Sequence, residues 1–126
     1  MTLRTEIKKL DRVFSQFIRL RDRVDGDLCK CCTCGRVKHW KEMDAGHFIN
    51  RRHYGVRFNE HNVHAQCRFC NRFNEGEQAK YAEFLKEKYR PDIADILNVN
   101  KKINKLNIFK VQAMLMCYKA EVKEML

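Results

Sequence analysis

The stretch that decides the fold runs from residue 31 to residue 74, and its two ends read Cys31-Cys32-Thr33-Cys34-Gly35 and Cys67-Arg68-Phe69-Cys70-Asn71. Each end holds two cysteines separated by two residues, and the short turn between them directs both sulfurs toward one point. Four thiolates suit tetrahedral zinc and fill its coordination sphere. The sequence therefore predicts a structural zinc site made of Cys31, Cys34, Cys67 and Cys70, with no open position for catalysis.

A second pairing stays open at the first end, because Cys29 and Cys32 have the same spacing. Gly35 favours the pair Cys31 and Cys34, since a glycine directly after the second thiolate permits the tight turn. Cys29 and Cys32 would then be free or redox-sensitive thiols. The remaining cysteine, Cys117, lies in an apolar segment and is expected to be a small buried hydrophobe.

The length of 126 residues suits one domain whose modest core a metal would help to stabilise. We assign residues 1–24 to an N-terminal helix, 25–76 to a zinc-stapled core and 77–126 to a helical C-terminal part. Hydrophobic residues make up 44% and charged residues 33%, which favours a folded chain. We find no bilayer-length apolar run and no signal peptide, and expect a cytoplasmic protein, in which cysteines more often bind metal than form disulfides.

The net charge is +10, with 26 lysines and arginines against 16 aspartates and glutamates. Such an excess favours polyanionic partners, although a basic surface can also be merely well solvated. Five arginines close to the predicted metal site favour a nucleic acid, and they are Arg51, Arg52, Arg57, Arg68 and Arg72.

Hydrophobic periodicity predicts an α+β fold with helices on both sides of the cysteine-rich stretch. Apolar residues at three- and four-residue steps predict helices over 3–22, 77–89, 92–104 and 108–126, with Pro91 as a break. The apolar face of the last helix is broad, so a homodimer contact is the second interpretation after core packing.

Inside the stretch we predict two short strands, about 36–41 and 46–50, that pair with each other as a ribbon. Residues 51–66 are expected to form an irregular loop. A further helix should begin near Cys67 or Cys70.

A histidine between the two cysteine pairs, His47, gives the stretch its second feature. A ribbon histidine facing a helix that carries Asn71 resembles the HNH, or ββα-metal (His-Me finger), nuclease site. The resemblance implies that His47 is the general base, that Asn62 steadies the ribbon and the base, and that Asn71 binds a divalent ion. The motif is then H-N-N rather than H-N-H.

The chemistry that this resemblance implies is physically consistent. A neutral imidazole with a pKa near roughly 6.5 can take a proton from water at neutral pH. A catalytic Mg²⁺ or Mn²⁺ on a side-chain oxygen can stabilise the phosphate and the leaving 3′-oxygen. The family resemblance implies products with a 5′-phosphate and a 3′-hydroxyl.

One position departs from the family pattern. Many HNH nucleases carry aspartate or histidine immediately before the base, as a second metal ligand, and here that residue is Gly46. Asp44 and His64 are the two candidates for the second ligand. Asp44 would need a bulge at Gly46 to reach the face of His47 on a regular strand. His64 could equally support the zinc turn through a hydrogen bond.

The order and spacing of several short motifs narrow the resemblance further. They are Cys31–Gly35, Trp40, Ala45–Ile49, Asn62–Cys67, Cys70-Asn71 and the segment Tyr81–Tyr89. Together they resemble the NinG/Rap recombination endonucleases of lambdoid phages over about residues 25–97. This resemblance implies a metal-dependent DNA endonuclease that acts on D-loops and Holliday-type junctions in the bacterial host cytoplasm. Arg51, Arg52 and Arg57, which follow the base, are then expected to clamp phosphates.

Three other functions remain open from the sequence. One is an HNH nuclease that nicks duplex DNA, the second is a non-catalytic zinc module that binds DNA, and the third is a zinc-stapled protein-interaction adaptor. His47, Asn62 and Asn71 favour a nuclease over a pure binding module, and the arginines around the site disfavour an adaptor.

Overall fold

The computed structural model describes residues 1–103 and 105–126 and shows an α+β fold with helices on both sides of two small sheets. The helices are α1 (Leu3–Arg21), α2 (Tyr54–Arg57), α3 (Gln78–Lys88), α4 (Ile93–Asn100) and α5 (Ile108–Met125). The strands are β1 (Arg23–Asp25), β2 (Leu28–Lys30), β3 (Val37–His39), β4 (Met43–His47) and β5 (Val63–Cys67). The predicted mixed fold class with flanking helices is confirmed. The helix predicted over 92–104 corresponds to α4, and its predicted end at residue 104 lies outside the described residues.

The two long helices, α1 and α5, pack on each other, and α1 also packs on the β4–β5 ribbon. Helix α1 begins at Leu3 because Thr2 caps it, with its hydroxyl accepting from the Thr5 N–H at 3.1 Å. Its apolar stripe, which includes Leu10, Phe14 and Ile18, is almost fully buried. The main core is therefore formed where this stripe meets α5 and the ribbon.

The ribbon pairing predicted from the sequence is wrong. Strand β3 pairs with β2 in a three-stranded sheet, whereas β4 pairs antiparallel with β5, from Met43 opposite Cys67 to His47 opposite Val63. The reason is the glycine at position 26, whose φ of +54° makes the turn of a β1–β2 hairpin to which β3 adds. This hairpin occupies residues 23–30, for which we had predicted no strand.

The predicted loop over 51–66 is also wrong, because this segment contains α2 and most of β5. All five residues of β5 are buried, polar ones included. A strand that is buried on both faces lacks the alternation by which strands are recognised, and its histidine and glutamine make it look like a loop.

The predicted helix near the second cysteine pair is a single π-helical turn, Phe69–Phe73. The chain then passes through three residues with positive φ, Glu75, Gly76 and Glu77, before α3 begins. Helices α3 and α4 bury a second cluster around Tyr81, Leu85 and Leu97 behind the ribbon.

The expectation that Cys117 is buried is wrong, because this residue is exposed on α5. No helix among the described residues is long and apolar enough to cross a bilayer.

Candidate metal centre and adjoining cleft

The four predicted cysteines come together at one end of the ribbon. Cys31 and Cys34 lie in the loop between β2 and β3, and Cys67 ends β5, with Cys70 in the π turn. Their four sulfur atoms all lie within 4.8 Å of one another. A tetrahedral zinc with Zn–S bonds of about 2.3 Å holds its sulfurs about 3.8 Å apart, and the Sγ atoms of Cys34 and Cys67 are 3.7 Å apart. This cluster could bind a metal such as zinc.

Backbone N–H groups donate hydrogen bonds to the sulfurs, and such bonds stabilise the thiolate form of a cysteine. The N–H of Cys34 donates to Sγ of Cys31 at 3.5 Å, and the N–H of Cys70 donates to Sγ of Cys67 at 3.4 Å. Burial by itself would raise the pKa of Cys31, but hydrogen bonds from backbone N–H groups and from Thr33 lower it to about 6. Gly35 follows with a φ of +79°, as expected for the tight turn.

The alternative cysteine pairing is not assembled. Cys29 is buried on β2, and its thiol donates to the Arg19 carbonyl at 2.8 Å. Burial raises the pKa of Cys29 to about 11 and also raises that of Cys32. Both therefore stay protonated at neutral pH, which disfavours metal ligation and the redox sensitivity we had considered.

A cleft of about 1050 Å³ opens beside β4. Its lining includes His47, Asp44 and Asn71, and also five basic side chains, those of Arg19, Lys41, Arg51, Arg68 and Arg72. Three acidic residues, Asp11, Asp44 and Glu75, line it as well. A cleft with this excess of positive charge suits an anionic ligand that also needs a local acidic spot.

The ring of His47 is held in one tautomer. Its Nε2 lies 2.9 Å from the carbonyl oxygen of Arg57, and a carbonyl can only accept, so Nε2 carries the proton. The other nitrogen, Nδ1, then keeps its lone pair. Burial is the main reason that the pKa of His47 is below its usual value, with the positive charge of Arg51 adding to it.

Asp44 reaches the cleft without the bulge that we had thought necessary. The β4–β5 register is unbroken from Met43 to His47, yet successive residues of β4 line the cleft. Residues from both faces of β4, Asp44 and His47 among them, line the cleft.

The Asp44 carboxylate is the centre of a polar cluster. It accepts from the Asn71 Nδ2 amide at 2.9 Å and from two nitrogens of Arg72, each at 2.9 Å. A second guanidinium, that of Arg68, lies 4.0 Å from the carboxylate, which is beyond hydrogen-bond distance. The predicted ion ligands Asp44 and Asn71 are thus in contact, and in this arrangement the guanidinium of Arg72 neutralises the carboxylate.

Asn62 is fully buried and ties down the chain that follows His47. Its side-chain oxygen accepts from the Ile49 N–H at 2.8 Å, and its Nδ2 donates to the carbonyls of Ile49 and Val56 at 3.0 and 3.2 Å. These hydrogen bonds hold Ile49 and Val56 to the residue that precedes β5.

The structure does not bring His64 to the cleft. Its ring is buried behind the ribbon, where Nδ1 lies 3.3 Å from the Tyr81 hydroxyl and Nε2 lies 2.6 Å from the Tyr89 hydroxyl. It does not support the zinc turn either, since these tyrosines belong to the α3 side. Among the two candidate second ligands, only Asp44 lies beside Asn71.

The burial of His64 predicts acid sensitivity. Burial lowers the pKa of His64 to about 3, whereas an unfolded histidine has a pKa near roughly 6.5. Between these values the unfolded state binds more protons, so stability falls as pH falls, by up to about 1.4 kcal/mol per pH unit. Denaturant titrations at pH 7.5 and 5 measure this loss. We expect His64→Gln to be less stable at pH 7.5 but to lose less on acidification, whereas an identical loss in both proteins would contradict the assignment.

The space around Gly46 explains the departure from the HNH pattern. A Cβ atom at this position would lie 2.1 Å from Oε1 of Gln66 and 3.0 Å from its Cβ. Gln66 is fully buried and cannot swing away, because its Nε2 donates to the Thr33 hydroxyl at 3.1 Å and to the Gly76 carbonyl at 2.8 Å. Gln66 thus occupies the volume that a ligand before His47 would need, while it joins the zinc turn to the cleft.

We therefore expect Gly46→Ala to destabilise the protein by about 1–3 kcal/mol, the usual cost of overpacking. Denaturant unfolding measures the change, and the double variant Gly46→Ala with Gln66→Ser should recover part of it. A single variant as stable as the wild type would show that Gln66 is free to move.

The five predicted arginines do not act as one group. Arg51 lines the cleft and is exposed, and Arg68 and Arg72 line it around Asp44. Arg52 is exposed outside the cleft lining, with its Nε 3.3 Å from His53. The side chain of Arg57 is only 14% exposed, and it forms an ion pair with Asp11 of α1 that raises the pKa of the guanidinium.

Two sets of contacts beside the candidate site were not predicted from the sequence. Asp11 anchors Arg57, whose carbonyl in turn orients His47, and Gln66 spans the zinc turn and the cleft. Asp11 lies on the polar side of a helix, where acidic residues are ordinary. The only signal for Gln66 was its place directly before Cys67.

Comparison with known proteins gives one consistent result. A family model described as Bacteriophage Lambda NinG protein matches residues 2–126. The protein ninG of Escherichia phage lambda is 30% identical over 120 residues, which cover 94% of this chain and 56% of that protein. The protein ninG of Salmonella phage P22 is 29% identical over 120 residues and is covered to 57%. The chain thus spans about half the length of the curated relatives it matches. No solved structure is significantly similar to it.

Proposed function

Since this chain belongs to the NinG family, we propose that it is a metal-dependent DNA endonuclease of the HNH, or ββα-metal, type. The β4–β5 ribbon and the π turn carry His47 and Asn71, as the two strands and the helix of that core do. Branched recombination intermediates are its substrate, because the motif order resembles the recombination endonucleases named above. It acts in the cytoplasm of the bacterial host.

The observation that carries the proposal is the tautomer of His47. Proton transfer from water requires a basic nitrogen with its lone pair available. The Arg57 carbonyl at 2.9 Å holds the proton on Nε2 and leaves Nδ1 basic. Because burial lowers the pKa of the ring, His47 stays neutral at the pH of the cytoplasm and can accept the proton of the attacking water.

The residues beside His47 fit a hard divalent ion. Mg²⁺ prefers oxygen ligands, often one or two carboxylates with waters and substrate phosphate. Asp44 offers a carboxylate, and Asn71, which directs its Nδ2 to Asp44, offers its carbonyl oxygen. Such an ion, when bound, supplies the charge that stabilises the phosphate and the leaving 3′-oxygen. Arg72 forms an ion pair with that carboxylate in this structure. Its side chain is 55% exposed and can move to a DNA phosphate when DNA binds.

The cysteine cluster is proposed to bind zinc in a structural role. Four thiolates leave no position for substrate. The cluster instead fixes the β2–β3 loop against the π turn that carries Asn71. The metal centre thus positions one side of the cleft.

The test is cleavage of a labelled synthetic four-way junction and a linear duplex of the same sequence, with Mg²⁺ and with EDTA. We expect Mg²⁺-dependent cuts in the junction and few in the duplex. A His47→Ala sample purified in the same way controls for contaminating nuclease. Equal cutting of both substrates would support a duplex-nicking HNH nuclease instead.

The non-catalytic alternatives give a different pattern. A protein that binds both DNAs but cuts neither with Mg²⁺ or Mn²⁺ would be a zinc DNA-binding module. A protein that also fails to bind DNA would fit an adaptor. The homodimer stays a prediction, and light scattering of the protein on a junction tests it, since two active sites would cut two strands.

A further inference from the structure

Two phenylalanines beside the cleft are left out of the core. The chain has eight phenylalanines, and five of them lie in the two hydrophobic clusters or pack against them. Phe69 and Phe73 do neither, and they are 53% and 74% exposed. Their ring centroids are 6.2 Å apart with the planes tilted by 33°. Exposed neighbouring aromatic rings that the fold does not use indicate a binding surface.

The position of this aromatic pair, Phe69 and Phe73, links it to the cleft. Both lie in the π turn that also carries Asn71, and each directly follows an arginine, Arg68 or Arg72. Both arginines line the cleft and are more than half exposed. Cationic groups that hold phosphates therefore alternate with aromatic rings along one turn, which is the combination that binds unpaired nucleic acid strands.

The turn that carries the pair is held firmly. The Cys70 N–H donates to Sγ of Cys67 at 3.4 Å, and the Gly76 N–H donates to the Cys70 carbonyl at 2.9 Å. The backbone that carries the rings is thus held relative to Asn71, and little ordering of it would be needed when a ligand stacks on them.

We propose that the aromatic pair stacks on an unpaired base at a DNA branch point and so selects branched over linear DNA. The bases inside a duplex cover one another, so a protein ring can stack only where a base face is open, as at a branch or a strand end. The contact favours such DNA and sets the branch at a fixed place relative to His47. This inference rests on the proposed function, and it accounts for the preference of the proposed nuclease for branched DNA.

The test uses binding and not cleavage, so that it stays informative if the nuclease proposal fails. In the His47→Ala background, a junction and a linear duplex each carry the fluorescent base 2-aminopurine at the same position, which in the junction lies at the branch. We expect tighter binding to the junction and quenching of its fluorescence. Phe69→Ala with Phe73→Ala should weaken junction binding by about tenfold or more and duplex binding, in which only the two end pairs have an open base face, much less. Phe73→Trp should retain the quenching.

The matched control is Phe109→Ala, because Phe109 is 78% exposed like the pair but lies at the start of α5, outside the π turn that carries Asn71 and the two arginines. Unchanged junction affinity and quenching in the double alanine variant would overturn the proposal. So would an equal loss on junction and duplex. A change of molecular mass in light scattering on removal of the two rings would also overturn it, since the pair would then be a contact between copies. Zinc content and the melting temperature, measured for every variant, establish that the fold is intact.

Discussion

Removal of the metal with a chelator, or the substitution Cys67→Ser, is expected to unfold the protein. The four-cysteine cluster ties the β2–β3 loop to the ribbon and the π turn, and three of its members, Cys31, Cys67 and Cys70, are buried in the main core. Zinc binding to such sites is worth about 10–16 kcal/mol in small zinc domains. That exceeds the stability of most domains of this size, about 5–15 kcal/mol.

The measurement is the circular dichroism melt of the protein before and after chelation, together with its metal content. We expect one zinc per chain and loss of the cooperative transition when it is removed. Cys117→Ser is the control, because Cys117 is exposed and outside the cluster, and it should melt like the wild type. A chelated protein with an unchanged melt would show that the cluster does not support the fold.

The substitution His47→Ala is expected to lower the single-turnover rate of DNA cleavage by about 10²–10⁴-fold, the range for loss of a general base. Binding of the junction should change little, because the arginines of the cleft remain. His61→Ala is the control, since His61 is exposed and lies outside the cleft lining. Equal rates in all three proteins would show that His47 is not the base.

The pH profile of the wild type gives an independent check on the base. A general base loses activity as the pH falls through its pKa, because the lone pair is then protonated. The pKa of His47 is lowered by burial, so the acid limb of the rate should lie below the usual histidine value of about 6.5. An acid limb above that value would point to another group.

Two hydrogen bonds connect helix α1 to His47, the proposed general base. Asp11 of α1 holds the Arg57 side chain, and the Arg57 carbonyl holds the His47 ring. The helix that builds the main core thus also sets the orientation of the proposed base. This contact accounts for Arg57 better than a role in clamping phosphate does.

The sequence by itself determined the four main helices, α1, α3, α4 and α5, and the cluster of four cysteines. Both depend on local patterns, namely the apolar stripe of α1, the break at Pro91 and the paired spacing of Cys31, Cys34, Cys67 and Cys70. Within one helix or one cysteine pair the residues stand within a few positions of one another, so chain geometry alone limits what they can form.

Only the tertiary structure decided which strands pair and which candidate residues meet. The partner of β4 is about twenty residues away, and β5 hides its strand character under buried His64 and Gln66. Asp44 rather than His64 lies beside Asn71, because His64 packs behind the ribbon against Tyr81 and Tyr89. Such choices depend on contacts between distant segments and on which surfaces are buried, and no local pattern records them.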